Sequence, residues 1–189
     1  MIRTLLTAAL LALLGACGSN APISSADPTF DFTAIRTYDF VPHAGTDGNE
    51  YQSLETSYLR NAMTRELERR GLTHSDSNPD VMVNFAIQTQ EKVRSYSVPR
   101  TGYVGAYDYY DDIYYDGWGV THQTRIDQYT EGTLKIDLID HQARKLVWQG
   151  SASGRLTREM LANAQETLDL TVVEIMEQFP LPAPEAATP

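Results

Sequence analysis

Residues 132–150 read GTLKIDLIDHQARKLVWQG and carry the clearest structural pattern in the chain. Leu134, Ile136 and Leu138 are apolar residues at every second position, which is the period of a β-strand with one buried face. The alternation returns over residues 144–150, after the polar stretch Asp140–Ala143, which suits a turn. The pattern therefore predicts an antiparallel hairpin.

Two other segments have the helical period instead. Apolar residues recur every three or four positions over residues 50–70 and 164–179. Gly71 follows the first segment and can adopt the left-handed conformation that ends many helices, whereas Pro180 ends the second because its ring cannot continue a helix. Two amphipathic helices are predicted.

Alternating residues outside the hairpin predict more strands. One strand is expected from Val81 onward, and one or two more around residues 29–41. Together the elements predict an α+β fold, in which two helices pack on one face of a largely antiparallel sheet. The expected order is roughly β-β-α-β-β-β-α.

The composition excludes several classes of protein. A hydrophobic fraction of 42% over 189 residues is too high for a disordered chain and is enough to bury a core. The net charge of −10 disfavours nucleic acid as a partner, because nucleic acid is itself negatively charged. The single cysteine cannot form an internal disulfide or a zinc site made of several thiolates.

The N-terminus resembles the signal of a bacterial lipoprotein. Arg3 precedes an uncharged apolar run, Leu5–Leu14, that is shorter than the about 20 residues of a membrane-spanning helix. Leu14-Gly15-Ala16-Cys17 then resembles the lipobox, in which the chain is cleaved between Ala16 and Cys17. The resemblance implies a diacylglyceryl group on the Cys17 sulfur and a further acyl chain, such as palmitate, on the freed amine. The alternative is an ordinary signal peptide with an incidental cysteine.

This resemblance also predicts where the protein lies. Two or more acyl chains anchor a protein stably, so no transmembrane helix is needed. Gly18 follows Cys17 where sorting to the inner membrane of Gram-negative bacteria would favour aspartate. The expected localisation is the cell envelope, with a lipid anchor in the outer membrane.

The chain is expected to divide into four parts. These are a lipoprotein signal peptide at 1–16, a lipidated flexible tether at 17–28, a single α+β domain at 29–179 and a proline-rich disordered tail at 180–189.

Residues 99–120 differ from the rest of the domain and are interpreted as a long loop rich in tyrosine, glycine and aspartate. Its rings are a possible recognition surface for a protein or a glycan, because large rings give contact area with few torsions to freeze. The alternative is that they fold over the sheet as a lid. The aspartates also suggest a Ca²⁺ site, although their spacing fits no EF-hand loop and a solvated acidic loop is favoured. The recognition residues are Tyr103, Tyr107, Tyr109, Tyr110, Tyr114, Tyr115 and Trp118; the aspartates are 108, 111, 112 and 116.

Several segments together resemble the bacterial lipoprotein family catalogued as domain of unknown function 4136. The resemblance follows the order of the mature domain, and its most specific part is the hairpin. It implies an anchored α+β envelope domain and carries over no catalytic residue. The resembling segments are Phe32–Tyr38, Leu67–Gly71, Asp80–Asn84, Gly132–Asp140, Lys145–Gly150 and Phe179-Pro180.

No catalytic signature is visible. The histidines at 43, 74, 122 and 141 lack the spacing of a zinc protease helix, and no nucleophile elbow or phosphate-binding loop occurs. We therefore expect a protein that is not an enzyme, needs no metal or cofactor, and acts as a binding or structural module on an envelope protein or polymer. A Ca²⁺- or glycan-binding module and a hydrolase whose site assembles only in space are the alternatives.

Overall fold

The computed structural model describes residues 21–48, 51–108 and 113–183, with side chains described outside 103–116. The predicted signal peptide, the residues that resemble a lipobox and Cys17 lie outside this range. Among the described residues, no helix is both long and apolar enough to cross a membrane. The strands are β1 (Ile23–Ala26), β2 (Thr37–Phe40), β3 (Thr73–His74), β4 (Val81–Asp108), β5 (Ile113–Asp140) and β6 (Lys145–Arg155). The helices are α1 (Leu54–Arg69), α2 (Arg158–Ala162) and α3 (Ala164–Met176), and a 3₁₀ turn spans Phe32–Ala34.

The fold is α+β, with one sheet in the order β1-β6-β5-β4-β2-β3. The prediction of a largely antiparallel sheet is wrong, because β2 runs parallel to both β3 and β4, while β1 is antiparallel to β6. The cause is α1, which carries the chain back after β2 and so lets the next strands run in the same direction. The predicted element order is only roughly matched, since β1, β3 and α2 were not expected.

The core lies between the sheet and the two longer helices. Trp148, Tyr38 and Phe85 are its largest fully buried side chains. Phe179, just beyond α3, packs edge-on against Trp148 with 5.2 Å between ring centroids. These contacts bury the apolar faces that the strand and helix periods predicted.

The helix ends differ in how they are capped. The first helix begins at Leu54, later than the expected start near residue 50, because Ser53 accepts a hydrogen bond from the Thr56 amide at 3.0 Å. Gly71 has a φ of 85°, as predicted for the residue that ends this helix. The third helix starts after Asn163, whose side chain makes no capping hydrogen bond.

Contacts divide the chain into two compact units. We call residues Gln90–Glu131 the ribbon, because this unit consists of parts of β4 and β5, and the remaining described residues the core unit. The loop predicted over 99–120 is wrong for the described residues, because β4 continues to Asp108 and β5 starts at Ile113. Tyrosine and valine favour extended backbone conformations, so this segment forms strands although its apolar and polar residues do not alternate.

Both predicted flexible ends contain ordered residues. Ile23–Ala26 lies inside the expected tether, yet it forms β1 through backbone pairing with β6. Leu181 lies inside the expected tail, yet it packs against the core and its carbonyl accepts a hydrogen bond from Arg70 at 3.0 Å. Residues 184–189 lie outside the described range.

Candidate functional site

Side-chain contacts define the two faces of the ribbon. Thr130 donates a hydrogen bond to Glu91 at 2.7 Å, and Ser97 contacts His122 Nδ1 at 3.2 Å. Odd-numbered residues of β4 therefore share a face with even-numbered residues of β5, and the partners pair in the antiparallel sense. The ion pair of Lys92 with Glu131, at 3.4 Å, lies on the opposite face.

The first face carries a stripe of exposed apolar side chains. Strand alternation places four of them on this face, and their exposed fractions are 64% for Val93, 83% for Trp118, 59% for Val120 and 69% for Ile126. The contact of Ser97 with His122 separates them into two pairs, Trp118 with Val120 and Val93 with Ile126. Single exposed apolar residues are common on protein surfaces, but four on one face of a two-stranded unit call for an explanation. We call these four residues the apolar stripe.

The second face of the ribbon carries more cations than carboxylates. Alternation places Lys92, Arg94, Arg100 and Arg125 there together with Asp127 and Glu131, and the three arginines are exposed. Sequence reasoning missed this face because the four cations form no run along the chain. That they share one face can be recognised only from the pairing of β4 with β5.

The predicted recognition residues are only partly described. Trp118 is exposed, which is the condition that a recognition surface requires. The six tyrosines between 103 and 115, and the side chains of the four aspartates considered for Ca²⁺, lie outside the described side chains. The Ca²⁺ and glycan hypotheses therefore stay predictions.

The core unit contains an apolar cleft of about 410 Å³. It lies between the sheet and the helices α2 and α3, and its wall includes Ile87, Leu134, Leu156, Leu161 and Leu168. Its volume lies within the range of small-molecule pockets. No sequence motif indicated this cleft, because its wall combines residues from three strands and three helices.

All four histidines are exposed, as expected. His74 lies on β3, where its Nε2 is 3.0 Å from Asp39 and its Nδ1 is 3.7 Å from Asp76. These three residues offer ligand atoms within 4.8 Å of one another. However, each carboxylate lies nearest a different ring nitrogen, so the arrangement is that of two separate side-chain contacts rather than of ligands converging on one ion.

Two aspartates beside strand ends have pKa values lowered by the hydrogen bonds that they accept. Asp80 accepts backbone hydrogen bonds from Arg36 at 2.8 Å and Thr37 at 2.9 Å, and these bonds hold the pKa of Asp80 below its usual range. Asp27 is hydrogen-bonded to Lys145, which lowers the pKa of Asp27 strongly. Both contacts join strand ends, so they are structural rather than catalytic.

Comparison with solved structures gives matches at low sequence identity. A PDZ domain protein from Parabacteroides distasonis matches with a TM-score of 0.50 and 16% identity, over 85% of this chain and 35% of that chain. The chain thus spans about a third of that protein. Two PelC dodecamer structures from Paraburkholderia phytofirmans match with TM-scores of 0.40 and 0.41 and identities of 12% and 11%. They cover 82% of this chain and 95% and 96% of theirs.

A search of curated protein sequences gave no match. The family profile described as "Domain of unknown function (DUF4136)" matches residues 23–181, from β1 to the segment after α3. This range includes the hairpin and both longer helices, which carried the resemblance in the sequence. The chain belongs to the DUF4136 family.

Proposed function

We propose that this protein is a lipid-anchored module of the bacterial envelope that binds a partner protein through its ribbon and has no catalytic activity. The observation that carries the proposal is the apolar stripe. A two-stranded hairpin is at best marginally stable in water and needs a packed face for support. A ribbon that exposes Trp118 and three aliphatic side chains on one face therefore suits a surface that another molecule covers.

The chemistry of the stripe favours a protein over a polysaccharide. Tryptophan stacks on sugar rings as well as on proteins, but Val93, Val120 and Ile126 offer no ring to a sugar. Aliphatic side chains around an aromatic anchor are typical of the centre of a protein interface. The exposed arginines on the opposite face add a second, charged surface that favours acidic partners.

The anchor part of the proposal rests on the lipobox resemblance at Cys17. Its mechanism is tethering, because acyl chains at Cys17 would keep the folded units close to one membrane. We expect Cys17→Ala to move the protein from the membrane fraction to the soluble periplasm. Retention of this variant in the membrane fraction would contradict the anchor without affecting the ribbon.

Site-specific cross-linking tests the ribbon. A photoreactive amino acid at position 120 should yield a discrete protein adduct in intact cells, and the same group at exposed Gln142, in the β5–β6 turn, serves as the control. Trp118→Ala should reduce the adduct about tenfold or more, as expected for an aromatic anchor. The matched control is Gln123→Ala, which truncates an exposed side chain on the opposite face and should leave the adduct unchanged.

The outcomes separate the candidate functions. Both alanine variants should retain the melting temperature, since exposed side chains contribute little to stability. An adduct of equal yield with and without Trp118, or no adduct at position 120, would refute the partner-binding proposal. An adduct that disappears on digestion of the cell wall polymer would replace the protein partner with a glycan.

A further inference from the structure

The apolar cleft of the core unit is not used by the proposed binding surface. Four of its hydroxyls are already hydrogen-bonded within the protein: Thr133 with Ser153 at 2.8 Å, Thr167 with the Met160 carbonyl at 3.2 Å, and Thr171 with the Thr167 carbonyl at 2.7 Å. These hydroxyls therefore need no polar group from a ligand. A cleft with an apolar wall and satisfied hydroxyls fits a hydrocarbon chain.

The N-terminal strand leads toward this cleft. Ile23 lies opposite Ser151 in the antiparallel pairing of β1 with β6. The next residues of β6, Ala152, Ser153 and Gly154, line the cleft. The N-terminal end of β1 therefore lies beside the cleft wall, because the partner of Ile23 is the residue next to Ala152. Cys17 is six residues before Ile23, a distance of at most about 22 Å in a fully extended chain.

The charges at the cleft favour an uncharged acyl chain over a free fatty acid. Glu55 and Glu174 belong to its lining and are both exposed, so they present carboxylates to solvent there. A free fatty acid would bring another negative charge near them, which is unfavourable. An acyl chain joined through glycerol to a cysteine sulfur carries no charge.

We propose that the cleft holds one acyl chain of the lipidated Cys17, an inference that rests on the proposed anchor. A triacylated cysteine would keep two chains for the membrane, and two chains are sufficient for stable anchoring. The chain in the cleft holds the core unit close to its own anchor. The segment between Cys17 and β1 then acts as a short connection rather than as a free tether.

A photoreactive lipid tests the proposal on the full-length protein. Cells that process lipoproteins are grown with a diazirine derivative of palmitic acid, irradiated and analysed by mass spectrometry. The expected product is a link within one chain, from the Cys17 lipid to the cleft segments around 152–168.

Gly154 suits a blocking variant, because a Cβ at this position meets no atom within 4 Å. Gly154→Phe should fill the cleft and lower the intrachain link about tenfold. The matched control is Gly102→Phe in the ribbon, where a Cβ also meets no atom within 4 Å; it should leave the link unchanged, and both variants should retain the circular dichroism spectrum of the wild type.

Each contrary outcome has a distinct meaning. A lipid present on Cys17 that links only to membrane lipids would overturn the cleft assignment and leave the anchor intact. Absence of lipid on Cys17 would overturn the anchor and the assignment together. Equal labelling of the cleft in Cys17→Ala protein, given the free diazirine fatty acid in solution, would overturn the assignment to the protein's own lipid.

Discussion

Replacing Arg70 with methionine should strongly destabilise the core unit. The Arg70 side chain is only 3% exposed, and its guanidinium lies 2.5 Å from the Glu66 carboxylate, which is 6% exposed. The same guanidinium donates to the Met176 carbonyl at 2.8 Å and to the Leu181 carbonyl at 3.0 Å. One side chain therefore joins the end of α1 to the end of α3 and to the segment that follows it.

The magnitude follows from what Arg70→Met leaves behind. Glu66 would keep only Arg69, at 3.2 Å, and that arginine is largely exposed and screened by water. Removing one partner of a buried ion pair costs about 3–5 kcal/mol. Folded domains are stable by only about 5–15 kcal/mol, so this variant should lose a large part of its stability.

Urea unfolding followed by far-ultraviolet circular dichroism measures this loss. Glu66→Gln and the double variant complete a thermodynamic cycle. In the double variant, residue 66 is a neutral amide, so the loss of Arg70 leaves no unpaired charge in the core. We expect the double variant to be more stable than the sum of the single losses predicts, by about 1–3 kcal/mol. A loss below about 1 kcal/mol for Arg70→Met, or strict additivity, would refute the reasoning.

Three smaller perturbations test the core, the response to acid and the first helix. Gly150→Ala would place a Cβ 2.5 Å from the Trp148 ring, so the free energy of unfolding should fall by about 1–3 kcal/mol, and an unchanged melting temperature would contradict the observed packing. The folded pKa of Asp80 lies below its unfolded value of about 3.9, so its carboxylate stabilises the fold above that pH and loses this contribution as the pH falls through the folded pKa. Asp80→Asn should therefore lose less stability than the wild type on acidification, and parallel acid-unfolding curves would argue against this role. Ser53→Ala removes the cap of α1 and should cost about 1 kcal/mol in urea unfolding, whereas equal midpoints would exclude a contribution from the cap.

The elements that the sequence predicted well share a buried face. The first strand of the hairpin and the helix ending at Gly71 have apolar residues at a fixed period, because the same residues fill the core. The return strand departs from the predicted alternation, since Leu146 is exposed and the neighbours Val147 and Trp148 are both buried. Strand β1 has no such pattern. It is held by backbone hydrogen bonds to β6, and Ile23 is exposed, so its side chains do not distinguish it from a linker.

The direction of pairing was also invisible in the sequence. The alternation in Val81–Phe85 indicates which face is buried but not whether a neighbour runs parallel or antiparallel. Pairing of β2 with β4 depends on the crossover through α1, which is a property of the whole chain. The cleft was hidden for a related reason, since its wall combines positions far apart in sequence.

The ribbon includes the segment 99–120, which its composition marked as a candidate binding surface but which was predicted to be a loop rather than two strands. Its two faces are both exposed, so no contrast between buried and exposed residues marks the strand period. The pairing of Ser97 with His122 supplies the missing information, because it fixes which residues share a face. This register assigns Trp118 and Val120 to one face of the ribbon and the arginines to the other. Neither face of the ribbon contributes to the buried core, so the contrast between buried and exposed residues that predicted the core strands has no counterpart here.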